Sequence, residues 1–83
     1  MYRVQILRQA VKDIAALPKE HARSVSQHID GLAENPRPPG AKKLRAVGAY
    51  RLRVGVWRIL YDVDDESRTV TVYRVKHRRE AYR

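Results

Sequence analysis

Apolar and polar positions alternate over residues 2–7. Tyr2, Val4 and Ile6 fall on one side and Arg3 and Gln5 on the other, which is the period of a short strand. The period then lengthens. Val11, Ile14 and Ala15 recur at helical spacing, predicting a first helix from about Arg8 to Leu17. Pro18 ends it and suits the start of a second helix. There Ala22, Val25, Ile29 and Leu32 mark one apolar face, until Asn35-Pro36 stops the chain. Each helix is short and carries a single stripe, so both need a surface to pack on.

Residues 35–43, Asn-Pro-Arg-Pro-Pro-Gly-Ala-Lys-Lys, read as a loop, because prolines and a glycine interrupt regular structure. Beyond Leu44 the period is two. Tyr50, Leu52 and Val54 alternate with Arg51 and Arg53; Trp57, Ile59, Tyr61 and Val63 alternate with Arg58, Leu60 and Asp62. Gly55-Val56 and the polar run Asp64–Ser67 are the turns. Thr69–His77 is rich in β-branched residues, with Val70 and Val72 on one face and Tyr73 and Val75 on the other. Three strands joined by tight turns make an antiparallel meander. The order β-α-α-β-β-β predicts an α+β fold: a helical hairpin on one face of a small, mostly antiparallel four-stranded sheet. Residues 1–83 are read as one domain, since 83 residues leave no room for a second core.

Composition removes whole classes of chemistry. Cysteine is absent, so neither disulfides nor thiolate chemistry enter. His21, His28 and His77 are too scattered to suggest zinc, and neither metal nor cofactor is expected. No apolar run approaches a membrane span, and Met1-Tyr2-Arg3-Val4 does not open a signal peptide; the expectation is a cytoplasmic protein without membrane contact. No P-loop, glycine-rich cradle or Ser/His/Asp set is readable.

Charge is the feature that adds most. Lys and Arg number 18 against 9 acidic residues, a net of +9. Residues 41–83 hold twelve of the basic side chains, nine of them Arg. The flat guanidinium fork matches phosphate, so the bias points to a polyanion. With the apolar sides of the strands turned to the helices, Arg51, Arg53 and Arg58 project from the uncovered face, needing no buried partner. Lys76, His77, Arg78 and Arg79 join them at the end of the last strand, with Tyr82 just beyond. An enzyme built from this set works with Arg, Lys, Tyr and His. RNA cleavage suits it: a 2′-hydroxyl is deprotonated, a phosphorane is stabilised by fixed cations, and a 5′-oxygen leaves.

The residues that carry chemistry also carry a likeness. Leu44-Arg45 ahead of Tyr50-Arg51-Leu52-Arg53-Val54-Gly55, then Trp57-Arg58-Ile59-Leu60-Tyr61, then Val75-Lys76-His77-Arg78 and Glu80-Ala81-Tyr82 resemble the RelE/ParE superfamily of bacterial toxins, nearest to RelE-type members. The resemblance spans nearly the whole chain. It implies the toxin of a toxin–antitoxin pair: a ribosome-dependent, metal-independent messenger-RNA endonuclease that inhibits translation, leaving 2′,3′-cyclic phosphate and 5′-hydroxyl ends. It implies an acidic, RelB-like antitoxin, ribosome and mRNA as partners, and operator DNA only through the antitoxin. Matched position by position, Arg58, Arg78, Tyr82 and His77 are the candidate catalytic residues. Arg51, Arg53, Arg45, Lys76 and Arg79 are the candidate RNA-binding residues. One departure matters: positions 51 and 53 carry Arg where well-known ribosome-dependent members carry Lys. Arg does not give up its proton, so the base falls to Tyr82 or His77. ParE-like members share the fold and poison DNA gyrase without RNA chemistry. That reading, and a non-catalytic relative that binds antitoxin or nucleic acid, are the alternatives.

Overall fold

The computed structural model describes residues 1–81. Its elements are β1 (Arg3–Ile6), α1 (Arg8–Ala15), α2 (Lys19–Gly31), β2 (Ala41–Lys43), β3 (Ala49–Val54), β4 (Trp57–Asp64) and β5 (Thr69–His77). The sheet has five strands in the order β1-β5-β4-β3-β2, which corrects the expected four. The additional strand is β2, inside the segment read as a loop. Three residues cannot display a period, and the prolines before them mask the signal. Those prolines end at Pro39, however, and Gly40 takes a φ of +94°, a left-handed turn that glycine makes without strain. Ala41, Lys42 and Lys43 then pair with Leu52, Arg51 and Tyr50. The sheet is mixed: β1 runs parallel to β5, and the other pairings are antiparallel.

The helices cover one face of this sheet. Val25, Ile29 and Leu32 are fully buried, as the stripe of α2 requires, against Leu52, Ile59, Tyr61, Val70 and Val72. In α1 the inward positions are Ala10 and Ile14, with Leu17 just beyond its end, rather than Val11, Ile14 and Ala15; Val11 is half exposed. Both choices fit a 3.6-residue period, and the packing of α1 against β5 selects between them. Pro18 stands at the N-cap of α2, one position before the first turn where it was expected.

The last strand departs from simple alternation. Leu60 pairs with Arg74, but Tyr61 pairs with Val72, so Tyr73 is an extra residue in a β-bulge. A bulge resets which side chains share a face. Val70, Val72 and Val75 therefore all enter the core, whereas strict alternation had set Val75 against Val72. The same reset turns Lys76 to the face of Arg58, its direct partner, and turns His77 to the helix side beside Trp57.

Candidate catalytic site

The uncovered face is a grid set by strand register. One row across it is Arg53, Arg58 and Lys76; the next is Lys42, Arg51, Leu60 and Arg74. Neighbouring strands lie about 4.8 Å apart and same-face residues about 7 Å apart along a strand, so long cationic side chains from three strands meet. They enclose a cleft of about 200 Å³ lined by Gly40, Lys42, Arg51, Arg53 and Arg58. Its charged lining residues are all cations. Gly40 has no side chain to fill the place beside Arg53, and its carbonyl accepts the Arg53 N–H at 3.3 Å.

Arg58 corrects an expectation. It shares the uncovered face but is only 6% exposed. Its Nη1 donates to the Gly55 carbonyl at 2.9 Å and to the Trp57 carbonyl at 2.8 Å. Those carbonyls are within reach because Gly55, at φ +59°, turns β3 sharply into β4. The guanidinium Nε is buried with no partner among the described residues. Arg53 is exposed, Arg51 is half-buried, and Arg53 stands directly opposite Arg58, a like-charge pairing that a sheet disfavours.

The remaining candidates separate. Lys76 is half-buried beside Arg58. Arg78 is exposed in the turn after β5, and its N–H donates to the Val56 carbonyl at 2.7 Å. That bond holds its backbone at the Gly55-Val56 turn, the same turn that grips Arg58. Arg79 is also exposed; its N–H donates to Nδ1 of His77 at 3.2 Å. His77 faces the helices, its ring edge-on to Trp57 at 5.4 Å, while Trp57 Nε1 donates to Nδ1 of His21 on α2 at 2.9 Å. His77 and Arg58 thus lie on opposite sides of the sheet. Arg45 is exposed in the β2–β3 loop, at the far end of β3 from Arg53. Tyr82 lies outside the described residues. His28 donates to the Ser24 carbonyl at 2.7 Å on its own helix, so it does not pair with His21, and no cluster of metal ligands exists among the described residues.

Sequence reasoning missed two groups. Lys42 enters the cleft only because β2 exists. Asp13 of α1 accepts from Arg74 Nε at 2.8 Å and from the Val75 N–H at 2.9 Å, where the edge of β5 runs on past the end of β1. Burial pushes the Asp13 carboxyl up, but hydrogen bonds from Arg74, the Val75 N–H and Gln9 together hold it below the usual carboxylate range. A second clamp closes the other end. Asp65 takes two bonds from Arg37, at 2.8 and 3.3 Å, and one from the Tyr2 hydroxyl at 2.6 Å. Arg37, foremost, and Tyr2 lower the Asp65 pKa, while Asp65 raises that of Tyr2. Arg37 also donates to the Tyr50 hydroxyl at 2.8 Å. These bonds pin the proline segment that leads into β2. Burial raises the Tyr61 phenol to about 12, which removes it as a base.

The fold and much of the sequence recur in known proteins. The family model of the ParE toxin of type II toxin–antitoxin systems matches residues 4–82. Toxin RelG of Mycobacterium tuberculosis is 34% identical over 99% of this chain and 97% of its own. Toxin RelE of the same organism is 32% identical over 99% of this chain and 87% of its own. The toxin chain of the archaeal RelE–RelB complex from Pyrococcus horikoshii superposes with a TM-score of 0.86 at 33% identity, covering 95% of this chain and 97% of the other. Matched by that family model over residues 4–82 and by relatives 32–34% identical over 99% of its length, the chain belongs to the RelE/ParE family of toxins of type II toxin–antitoxin systems, on the RelE side of it.

Proposed function

We propose that the cleft of Lys42, Arg51, Arg53 and Arg58 is the catalytic site of a toxin that cuts messenger RNA on the ribosome without a metal ion. The observation that carries this is Arg58. A buried guanidinium with an unpaired N–H is costly to a small domain, and the cost is offset when an anion arrives to accept that N–H. Two carbonyls already fix the plane of the group, so it does not reorganise as charge develops. Such preorganised donors stabilise a transition state more than they hold a ground state. Arg51 and Arg53, on the rim, grip the phosphates on either side of the reacting one, as bidentate forks do. Arg78, held at the same turn, adds a further cation to the phosphorane.

The chemistry is transesterification: the 2′-oxygen attacks phosphorus and the 5′-oxygen leaves, giving a 2′,3′-cyclic phosphate and a 5′-hydroxyl. His77 faces away from Arg58, so the reading assigns the 2′-hydroxyl proton to Tyr82. Residues 1–83 act as one toxin domain, in the cytoplasm where ribosomes are. The partner that silences it is an acidic, RelB-like antitoxin, and operator DNA is reached through that antitoxin.

Single-turnover cleavage of ribosome-bound mRNA tests the assignment. Arg58→Ala and Arg78→Ala lower the rate at saturating ribosomes by roughly 10²–10³. Arg51→Ala and Arg53→Ala chiefly raise the ribosome concentration needed for half the maximal rate. Tyr82→Phe abolishes the rise in rate with pH, and His77→Gln leaves it in place. The ParE family match makes gyrase poisoning the competing reading. Intact RNA in every assay, with gyrase-trapped DNA breaks in cells, would establish that reading instead.

A further inference from the structure

Proton inventory in the cleft is unequal. Three of its four cations are Arg, and a guanidinium keeps its protons at any working pH. The proposed reaction nevertheless needs a proton on its leaving side. An alkoxide at a 5′-carbon departs slowly unless it is protonated as the P–O bond breaks. Among the described lining residues, Lys42 is the one that carries an ammonium rather than a guanidinium, a side-chain type that can hand a proton to an alkoxide.

Its placement follows from the register. Lys42 stands directly opposite Arg51, so it shares the uncovered face. Its neighbour Lys43 pairs with Tyr50 and takes the other face. In the strand order, β3 separates β2 from β4, so Lys42 and Arg58 form opposite walls with Arg51 and Arg53 between them. In an in-line displacement the attacking and leaving oxygens lie on opposite sides of phosphorus, and two separated walls serve such a geometry. Gly40, whose carbonyl accepts the Arg53 N–H, completes the lining. Lys76 also has a transferable proton and the right face, but it lies across β4 from the cleft and is not part of its lining.

We propose that Lys42 is the general acid of the reaction, a role that rests on the mRNA-cleavage reading above. The 2′-oxygen forms its bond to phosphorus as its proton passes to the general base, the role assigned above to Tyr82. The P–O5′ bond breaks, and its electron pair on O5′ takes a proton from Nζ of Lys42. Lys42 regains that proton, and Tyr82 loses its own, through water. The products sum to the substrate, with no water consumed.

The test uses ribosomes programmed with mRNA in which sulfur replaces the bridging 5′-oxygen at the cleavage site. A thiolate, the base of a thiol with a pKa of about 8.5, leaves without being protonated. Lys42→Arg keeps the charge and removes the transferable proton. On natural mRNA it should slow single-turnover cleavage by roughly 10²–10⁴; on the sulfur substrate, variant and wild type should cut alike. Lys42 is exposed, so thermal melts of the two proteins should coincide. An equal deficit on both substrates would mean that Lys42 only places the phosphate, and would overturn the proposal. So would the absence of a deficit on natural mRNA, or rescue by sulfur in Lys76→Arg instead. A wild-type protein that cuts neither substrate would remove the mRNA-cleavage reading, and this role with it.

Discussion

Arg58 shows a single residue pulling stability and function apart. Its stem is buried, its Nη1 is held by two carbonyls and its Nε has no partner. Replacing a buried charge with an apolar side chain of similar volume is neutral or stabilising in many proteins. Arg58→Met is therefore expected to lose cleavage while its stability matches wild type or exceeds it by about 1 kcal/mol. In a domain of this size, 1 kcal/mol is roughly 4–8 °C in Tm. A fall in Tm of that size would show that the bonds to Gly55 and Trp57 outweigh the burial of charge. Asp13 is the opposite case, a polar residue whose bonds are all made. Its depressed pKa means that the folded state binds a proton less readily than the unfolded chain. The stabilisation is present above the unfolded value, near 3.9, and is lost as pH falls through the lower folded value. Asp13→Asn should cost about 1.5–3 kcal/mol at pH 7. In urea melts that cost should shrink steadily below about pH 4. A pH-independent difference would mean that packing, not charge, makes Asp13 matter.

At the scale of elements, β2 and the bulge in β5 are what turn an amphipathic sheet into a cleft. β2 is three residues long, yet it brings Lys42 beside Arg51 and Gly40 beside Arg53. The bulge at Tyr73 lets Val75 complete the core while Lys76 joins Arg58. The two sheet faces should accordingly answer mutation differently. Ile59 and Leu52 are at most 1% exposed, so truncating either to Ala should destabilise by about 2–5 kcal/mol. Arg53→Ala, on the exposed rim opposite Arg58, should change stability by no more than about 0.5 kcal/mol. Relief of like-charge repulsion would favour the variant. Chemical-denaturation midpoints at fixed pH decide this; a larger loss for Arg53→Ala than for Ile59→Ala would reverse the assignment of faces.

For the whole molecule, the net charge of +9 includes the four cations that line the cleft on the bare face of the sheet. Apolar surface lies on other flanks: Ile6, Leu7 and Val11 are exposed around the start of α1, and a cavity of about 290 Å³ between α2 and the β3–β4 turn is lined by His21, Ser24, Val54, Gly55, Val56 and Trp57. An acidic antitoxin segment that folds onto this domain meets both kinds of surface. Its affinity should weaken with added salt, because exposed charge pairs are screened. It should level off rather than vanish, because apolar burial persists. Calorimetric titration from low to moderate ionic strength measures this, and an affinity indifferent to salt would remove the electrostatic part.

What the sequence determined by itself was whatever local periodicity encodes: the two helices, the meander of β3, β4 and β5, the buried stripe of α2, and a basic face carrying Arg51, Arg53 and Arg58. Period-two and period-3.6 patterns are direct projections of burial, so they survive in a bare string of residues. The tertiary structure alone decided what depends on partners distant in the chain. Ala41–Lys43 is a strand because β3 offers it an edge, not because three residues prefer one. Ala10 rather than Val11 faces inward because that is the side of α1 that packs on β5. Lys76 shares the uncovered face as expected while His77, expected there too, faces the helices, because one extra residue is accommodated opposite Leu60 and Tyr61. Arg58 is buried because a turn three residues before it folds two carbonyls back onto its guanidinium. Each of these outcomes is a pairing energy between segments, and such energies leave no period in the sequence.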